Sequence, residues 1–193
     1  MRRVVTGEDE SGRSRVLEDG PASTYSSVAV PGLVSTPLWA TLGASSFDRS
    51  GTDPIPALGP TEDLPEPGGT RFFCVQFPPD SVFGDPSFDP AAAAAEQMRN
   101  SPRFAALFSS DSPGVHRAET VDYTFVLSGS VVLELDDEEV ELHPGDVVVQ
   151  NGARHAWRNR TDSPVLLGIV WVGPPAQPPN RVQAAEDSTR SAK

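Results

Sequence analysis

The sequence predicts an all-β fold, a small barrel or sandwich, on three observations. Short β-branched runs recur from Val121 to Val172, separated by turn residues at a spacing that suits paired strands. Two of the three histidines, His116 and His155, stand near the ends of the turn-rich stretch from residue 116 to 159. Strands folding back on one another can bring them, with Asp122, into one cavity. Strong helix-forming sequence is confined to a single insert at about residues 89–108.

The elements follow in order. Residues 2–5 and 14–18 are β-like runs around the turn GEDESG, a hairpin or outer arm. Residues 19–69 are rich in Pro, Gly, Ser and Asp, with apolar islands at Val28–Val34 and Leu38–Leu42. Such composition supports no core alone, so residues 1–69 are expected as an arm with wrapping loops and edge strands. Thr70–Phe77 is the first clear strand, ended by Pro78-Pro79. Asp89 can cap a helix that Pro90 opens and five alanines extend. Pro102 breaks that helix, and a second short turn covers Phe104–Phe108. The insert reads as a surface decoration or as a lid over a barrel mouth. Strands are then expected at Val121–Leu127, Val131–Leu135, Val140–Leu142, Val147–Gln150, Ala153–Arg158 and Val165–Val172. The barrel spans residues 70–173, and the Pro-rich remainder, 174–193, is expected to be a loosely attached tail.

Composition narrows the function. A net charge of −12 at pH 7 disfavours nucleic acid, whose phosphates the chain repels. No apolar run is long enough to span a membrane and no secretory signal is visible, so a cytoplasmic location is expected. Cys74 is the single cysteine, flanked by Phe and Val, and reads as a core thiol. Asn159-Arg160-Thr161 matches a glycosylation pattern but reads as a turn.

If 116–122 is one strand, its even-numbered residues share a face, placing His116, Ala118, Thr120 and Asp122 together. Two imidazoles and a carboxylate can form a facial metal triad with open positions, or an acid–base set without metal. Tyr123, Gln150, Trp157 and Arg154 are candidates to bind a substrate. The rival reading for the aromatics is packing, and for Arg154 solvent exposure. His143 and Asp146, in the turn LHPGD, read as turn residues, and Asp136–Glu139 as a solvated hairpin tip.

The spacing of these residues resembles the cupin superfamily. Its first motif, G-x5-H-x-H-x3,4-E-x6-G, is matched backwards from Gly129: Asp122 replaces the usual Glu, Ala118 the second His, and His116 the first His. Its second motif, G-x5-P-x-G-x2-H-x3-N, is matched by Gly145, Gly152, His155 and Asn159, one residue short and lacking the Pro. The segment Val4-Val5-Thr6-Gly7 is similar to the opening of a subgroup of single-domain cupins. The resemblance implies a double-stranded β-helix, the jelly-roll barrel, and a homodimer. Family members hold a divalent metal with three His and one Glu. Here only His116, Asp122 and His155 are left to hold one ion of Fe, Mn, Ni or Zn. The expected activity is a lyase or isomerase acting on a small oxygenated organic substrate by dehydration, decarboxylation or proton transfer. A non-catalytic ligand-binding barrel and an Fe(II)-dependent dioxygenase are the alternatives.

Overall fold

The most apolar run of the chain becomes the centre of the molecule. In the computed structural model, which describes residues 1–43 and 50–174, β11 (Val165–Val172) pairs antiparallel with β5 (Thr70–Phe77) on one side and β6 (Val121–Ser128) on the other. Buried on both sides along its length, it needs side chains such as Leu167 and Val165, which are fully enclosed. β4 (Val34–Thr41) joins β5, and the two-residue β3 (Tyr25–Ser26) lies at the edge beyond it. β9 (Val147–Asn151) closes the other edge, giving a six-stranded sheet in the order β3-β4-β5-β11-β6-β9. A second sheet holds β10 (Ala156–Arg158), β7 (Val131–Glu134) and β8 (Glu139–Leu142). Val126, Val131, Leu133, Leu142, Val165, Leu167 and Ile169 from the two sheets meet in one core. The all-β expectation holds. The boundary expected at residue 69 falls inside the larger sheet, because β4 is an internal strand of it.

Period-two burial sets which residues reach the interior. Along β6, Asp122, Thr124 and Val126 are buried while Tyr123, Phe125 and Leu127 are exposed. Cross-strand register then aligns Arg71 of β5, Trp171 of β11, Asp122 of β6 and Gln150 of β9 in one inward row. The turn after β6 needs Gly129, whose φ is +75°. A Cβ there would stand 2.9 Å from the Pro164 carbonyl oxygen.

Outside the barrel, β1 (Arg2–Glu8) and β2 (Ser14–Pro21) form a separate hairpin. A lone hairpin is marginal, so it needs an anchor. Arg3 supplies one, donating to Glu18, to Asp53 and to the Leu38 carbonyl of β4. The insert forms α1 (Pro90–Asn100) and α2 (Pro102–Ala105). Asp89 caps α1 by accepting from Ala91 N and Ala92 N, as its sequence predicts. Glu96, buried on a largely exposed helix, accepts from Tyr25 Oη, Ser27 Oγ, Val28 N and Ala29 N. Those donors, the Tyr25 hydroxyl foremost, hold its carboxyl down to about 2. The insert is thereby clasped to the segment before β4. Among the described residues, no helix is long and apolar enough to cross a membrane. The tail expected from residue 174 lies outside the described residues from 175 onward.

Candidate functional site

Backbone pairing, rather than a strand, brings the two histidines together. His116 N donates to His155 O (2.9 Å) and His155 N to His116 O (3.0 Å), an isolated antiparallel bridge between two loops. Phe108 bridges His116 from its other side. The imidazole centroids are 4.4 Å apart with the rings tilted by 54°. His116 Nδ1 lies 3.2 Å from Gly114 O, and His155 Nδ1 lies 2.9 Å from Ala153 O. A carbonyl oxygen only accepts, so each Nδ1 carries the hydrogen and each neutral ring keeps a lone pair on Nε2. Burial, reinforced by the neighbouring His155, lowers His116 to about 4, and burial lowers His155 as well. Both rings are neutral bases at pH 7.

Asp122 enters from β6 and is 6% exposed. Burial raises its carboxyl to about 6, offset only in part by the Thr120 hydroxyl, which does not reach hydrogen-bonding geometry. Asp122 Oδ1, Thr120 Oγ1 and Gln150 Nε2 are all buried without a hydrogen-bond partner. Gln150 is the cross-strand neighbour of Asp122. Unpaired buried polar atoms are costly, and a cluster of them is a place prepared for a ligand.

Several expectations need correction. Residues 116–122 are not one strand: β6 begins at Val121, and the chain bends at Glu119–Thr120. His116, Ala118, Thr120 and Asp122 nevertheless stay buried. Among the described residues, no three His, Cys, Asp or Glu side chains gather as a metal-ligand set. The expected His116, Asp122, His155 triad is therefore not closed, Ala118 offers no donor, and these residues do not fit the metal site implied by the motif. Tyr123 lies on the outer face beside inward Asp122, at 41% exposure. Arg154 is turned out to Asp136 (2.5 Å) in an exposed ion pair. Trp157 is placed against His155, its ring 5.9 Å away edge-on, and it also packs on the core. His143 is exposed beside Ser130 Oγ, Asp146 accepts from His143 N, and Asn159 accepts from Thr161 N in a turn, as their sequence contexts predict.

Sequence reading missed the aromatic side of the site. Phe104 of α2 meets the His116 ring edge-on at 5.1 Å and the Trp171 ring at 5.0 Å. Phe108 lies 4.9 Å from His116 at a shallow 32°. Phe104 thus sets α2 of the insert against the His116 ring. Phe104 N is capped by Asp63 Oδ2. Arg71, also missed, is buried and donates only to backbone carbonyls, those of Glu62, Thr70, Leu64 and Thr41. It ties the strap at residues 62–64 to the sheet.

Residues 109–173 match the Cupin_2 family model, described as a cupin domain. The matched segment is about a third of the chain. It contains both histidines, Asp122 and Gln150, whereas α1 and α2 precede it. Over 48 residues, 24% of its length, this chain is 50% identical to phomopsin biosynthesis cluster protein D of Diaporthe leptostromiformis, covering 25% of that relative. It is also 41% identical over 66 residues to a cupin-domain-containing oxidoreductase of Neurospora crassa, 31% of this chain and 34% of the relative. The alignments thus span a quarter to a third of these relatives. Among solved structures, the Cupin_2 domain of an XRE family transcriptional regulator from Enterobacter cloacae aligns with 74% of this chain and 98% of its own, at 15% identity and a TM-score of 0.36.

Proposed function

We propose that the cupin interior is the active site of a small-molecule enzyme, a lyase or isomerase that moves protons on an oxygenated organic substrate. What supports this reading is that one barrel segment buries two imidazoles held through Nδ1, leaving Nε2 as the base, and also buries three unpartnered polar atoms, on Thr120, Asp122 and Gln150. Nε2 of His116 or His155 accepts a proton from carbon beside a substrate carbonyl. The Thr120 hydroxyl and the Gln150 amide donate to the oxygen on which negative charge develops. Asp122, protonated at slightly acidic pH, delivers a proton to that oxygen or to a departing hydroxyl. The name of the Diaporthe relative, a biosynthesis cluster protein, supports small-molecule metabolism.

The test is deuterium exchange from D2O into a panel of enolisable ketones and hydroxy-ketones, followed by NMR. Wild type is expected to exchange the α-hydrogen. His155→Ala and Asp122→Asn should lower the rate by about 10²–10⁴-fold. Exchange indifferent to both variants, or absent across the panel, overturns the reading and leaves a non-catalytic binding barrel. A second reading, oxidation or reduction of the substrate, is favoured by the name of the Neurospora relative. Oxygen uptake or consumption of an added electron carrier would identify it. We also propose a homodimer, supported by the exposed apolar face of Tyr123, Phe125, Leu127, Val147 and Val149 on β6 and the edge strand β9. Sedimentation velocity checks it, and a monomer at micromolar concentration speaks against it.

A further inference from the structure

We infer that the substrate taken by this site is an uncharged, planar aromatic molecule bearing a hydroxyl or carbonyl group. The inference extends the proposed function by naming the substrate class, and three independent features support it.

The first is the wall. His116 is in ring contact with Phe104, Phe108 and His155, and His155 with Trp157. Trp171 extends the surface behind Phe104 towards Asp122, its cross-strand neighbour. A continuous set of π-surfaces thus surrounds the histidines and reaches Asp122 through Trp171, an environment that favours a ring able to stack or to present its edge.

The second is charge. The only lysine of the chain is its last residue, so arginine must supply any nearby cation. The guanidinium groups around the barrel are engaged elsewhere. Arg71 donates to four carbonyls, and Arg103 to those of Thr61 and Leu64. Arg154 pairs with Asp136, and Arg158 with Glu134 and the Pro113 carbonyl. Arg117 is exposed on the side of its segment opposite His116. The arginines named here are thus held by other partners or face away from His116, and inward Asp122 repels a carboxylate, sulfate or phosphate.

The third is the set of anchors. Thr120 Oγ1 and Gln150 Nε2 supply donors and Asp122 Oδ1 an acceptor, all buried and unpartnered. A phenolic or ketonic oxygen at the edge of a ring satisfies such a set. Phe104 and Phe108 belong to the insert and not to the barrel, so they are the residues that shape the ring's berth.

The experiment uses three probes of similar size, naphthol, naphthoate and fully saturated decahydronaphthol, titrated at pH 7 into the full-length protein by calorimetry. Naphthol is expected to bind at least tenfold more tightly than either of the others. Phe104→Leu and Phe108→Leu should each weaken naphthol about three- to tenfold, the loss of one aromatic contact, and leave decahydronaphthol unchanged. Naphthoate binding as well as naphthol would reveal a cation in the site and overturn the inference. Equal binding of decahydronaphthol, or no naphthol binding, overturns it too. Naphthol preference without α-hydrogen exchange in any compound sinks the proposed reaction and keeps the substrate class. Exchange in an acyclic hydroxy-ketone with no naphthol preference does the reverse.

Discussion

Replacing Asp122 by Asn should make the protein more stable at alkaline pH while removing the reaction proposed for it. The carboxyl is 6% exposed and unpartnered at Oδ1, and burial raises it from 3.8 to about 6. That gap corresponds to ~3 kcal/mol between its two protonation states. A group whose folded value lies above its unfolded value contributes stability that is complete below about 4 and lost as pH rises through 6. At pH 8 the wild type therefore holds an ionised carboxylate in a poor environment, and the Asp122→Asn variant holds a neutral amide. The amide needs partners of its own, so the net gain is about 2 kcal/mol, equivalent to roughly 4–8 °C in Tm for a chain of this length. Thermal unfolding followed by near-UV circular dichroism at pH 8 and pH 4 measures it. Titration of His116 affects both proteins and cancels in the difference between them. The reasoning is refuted if Asp122→Asn is no more stable than wild type at pH 8, or if the difference is the same at both pH values. A gain would show stability given up for a titratable carboxyl kept where chemistry needs it.

Three further substitutions probe the scaffold. Glu96→Gln removes a charge that accepts from four donors and should cost about 2 kcal/mol at pH 7, read from the urea midpoint. Because the Glu96 carboxyl is held down to about 2, its contribution is present above 4.5 and fades as pH falls towards 2. The gap between wild type and Glu96→Gln should therefore narrow at pH 3; a constant gap contradicts the clasp. Arg71→Met releases the strap at residues 62–64 and should cost about 2 kcal/mol, with faster limited proteolysis there. Unchanged cleavage would show that the strap holds itself. Gly129→Ala forces a left-handed φ of +75° on a residue with a Cβ 2.9 Å from a carbonyl oxygen. A loss of about 2 kcal/mol or more is expected in chemical unfolding, and a neutral result would mean that this turn readily rearranges.

The strands were readable because each apolar run is bounded by residues with one physical reading, such as Ser128-Gly129-Ser130 or Asn151-Gly152. The helix start was readable for the same reason, from Asp89, Pro90 and the alanines. Counting from Gly129 located Asp122 because a turn fixes the register of the strand before it. The errors came from applying alternation incompletely. If Asp122 faces inward, Tyr123 beside it faces outward, and the same logic turns Arg154 away from His155. Trp171 was within reach too, since pairing of β6 with β11 aligns it with Asp122. Phe104 and Phe108 were not, because a turn of helix carried over a barrel leaves no periodic signal of where it lands. Glu96 and Arg71 are the converse, charged residues buried against distant backbone. Glu96 depends on the amides of Val28 and Ala29, 68 and 67 positions away, and Arg71 on a strap of carbonyls. Nothing local announces such partners.

The reciprocal peptide bonds between His116 and His155 make them a hydrogen-bonded pair of the antiparallel kind, with Cα atoms about 5.5 Å apart. Main chain, not ring contact, is the ruler that spaces the two imidazoles. Either ring can be exchanged for another side chain without moving the position opposite it. The pair thus behaves as two sockets at a fixed pitch, so the chemistry of this barrel can be rewritten one residue at a time while its spacing is inherited unchanged.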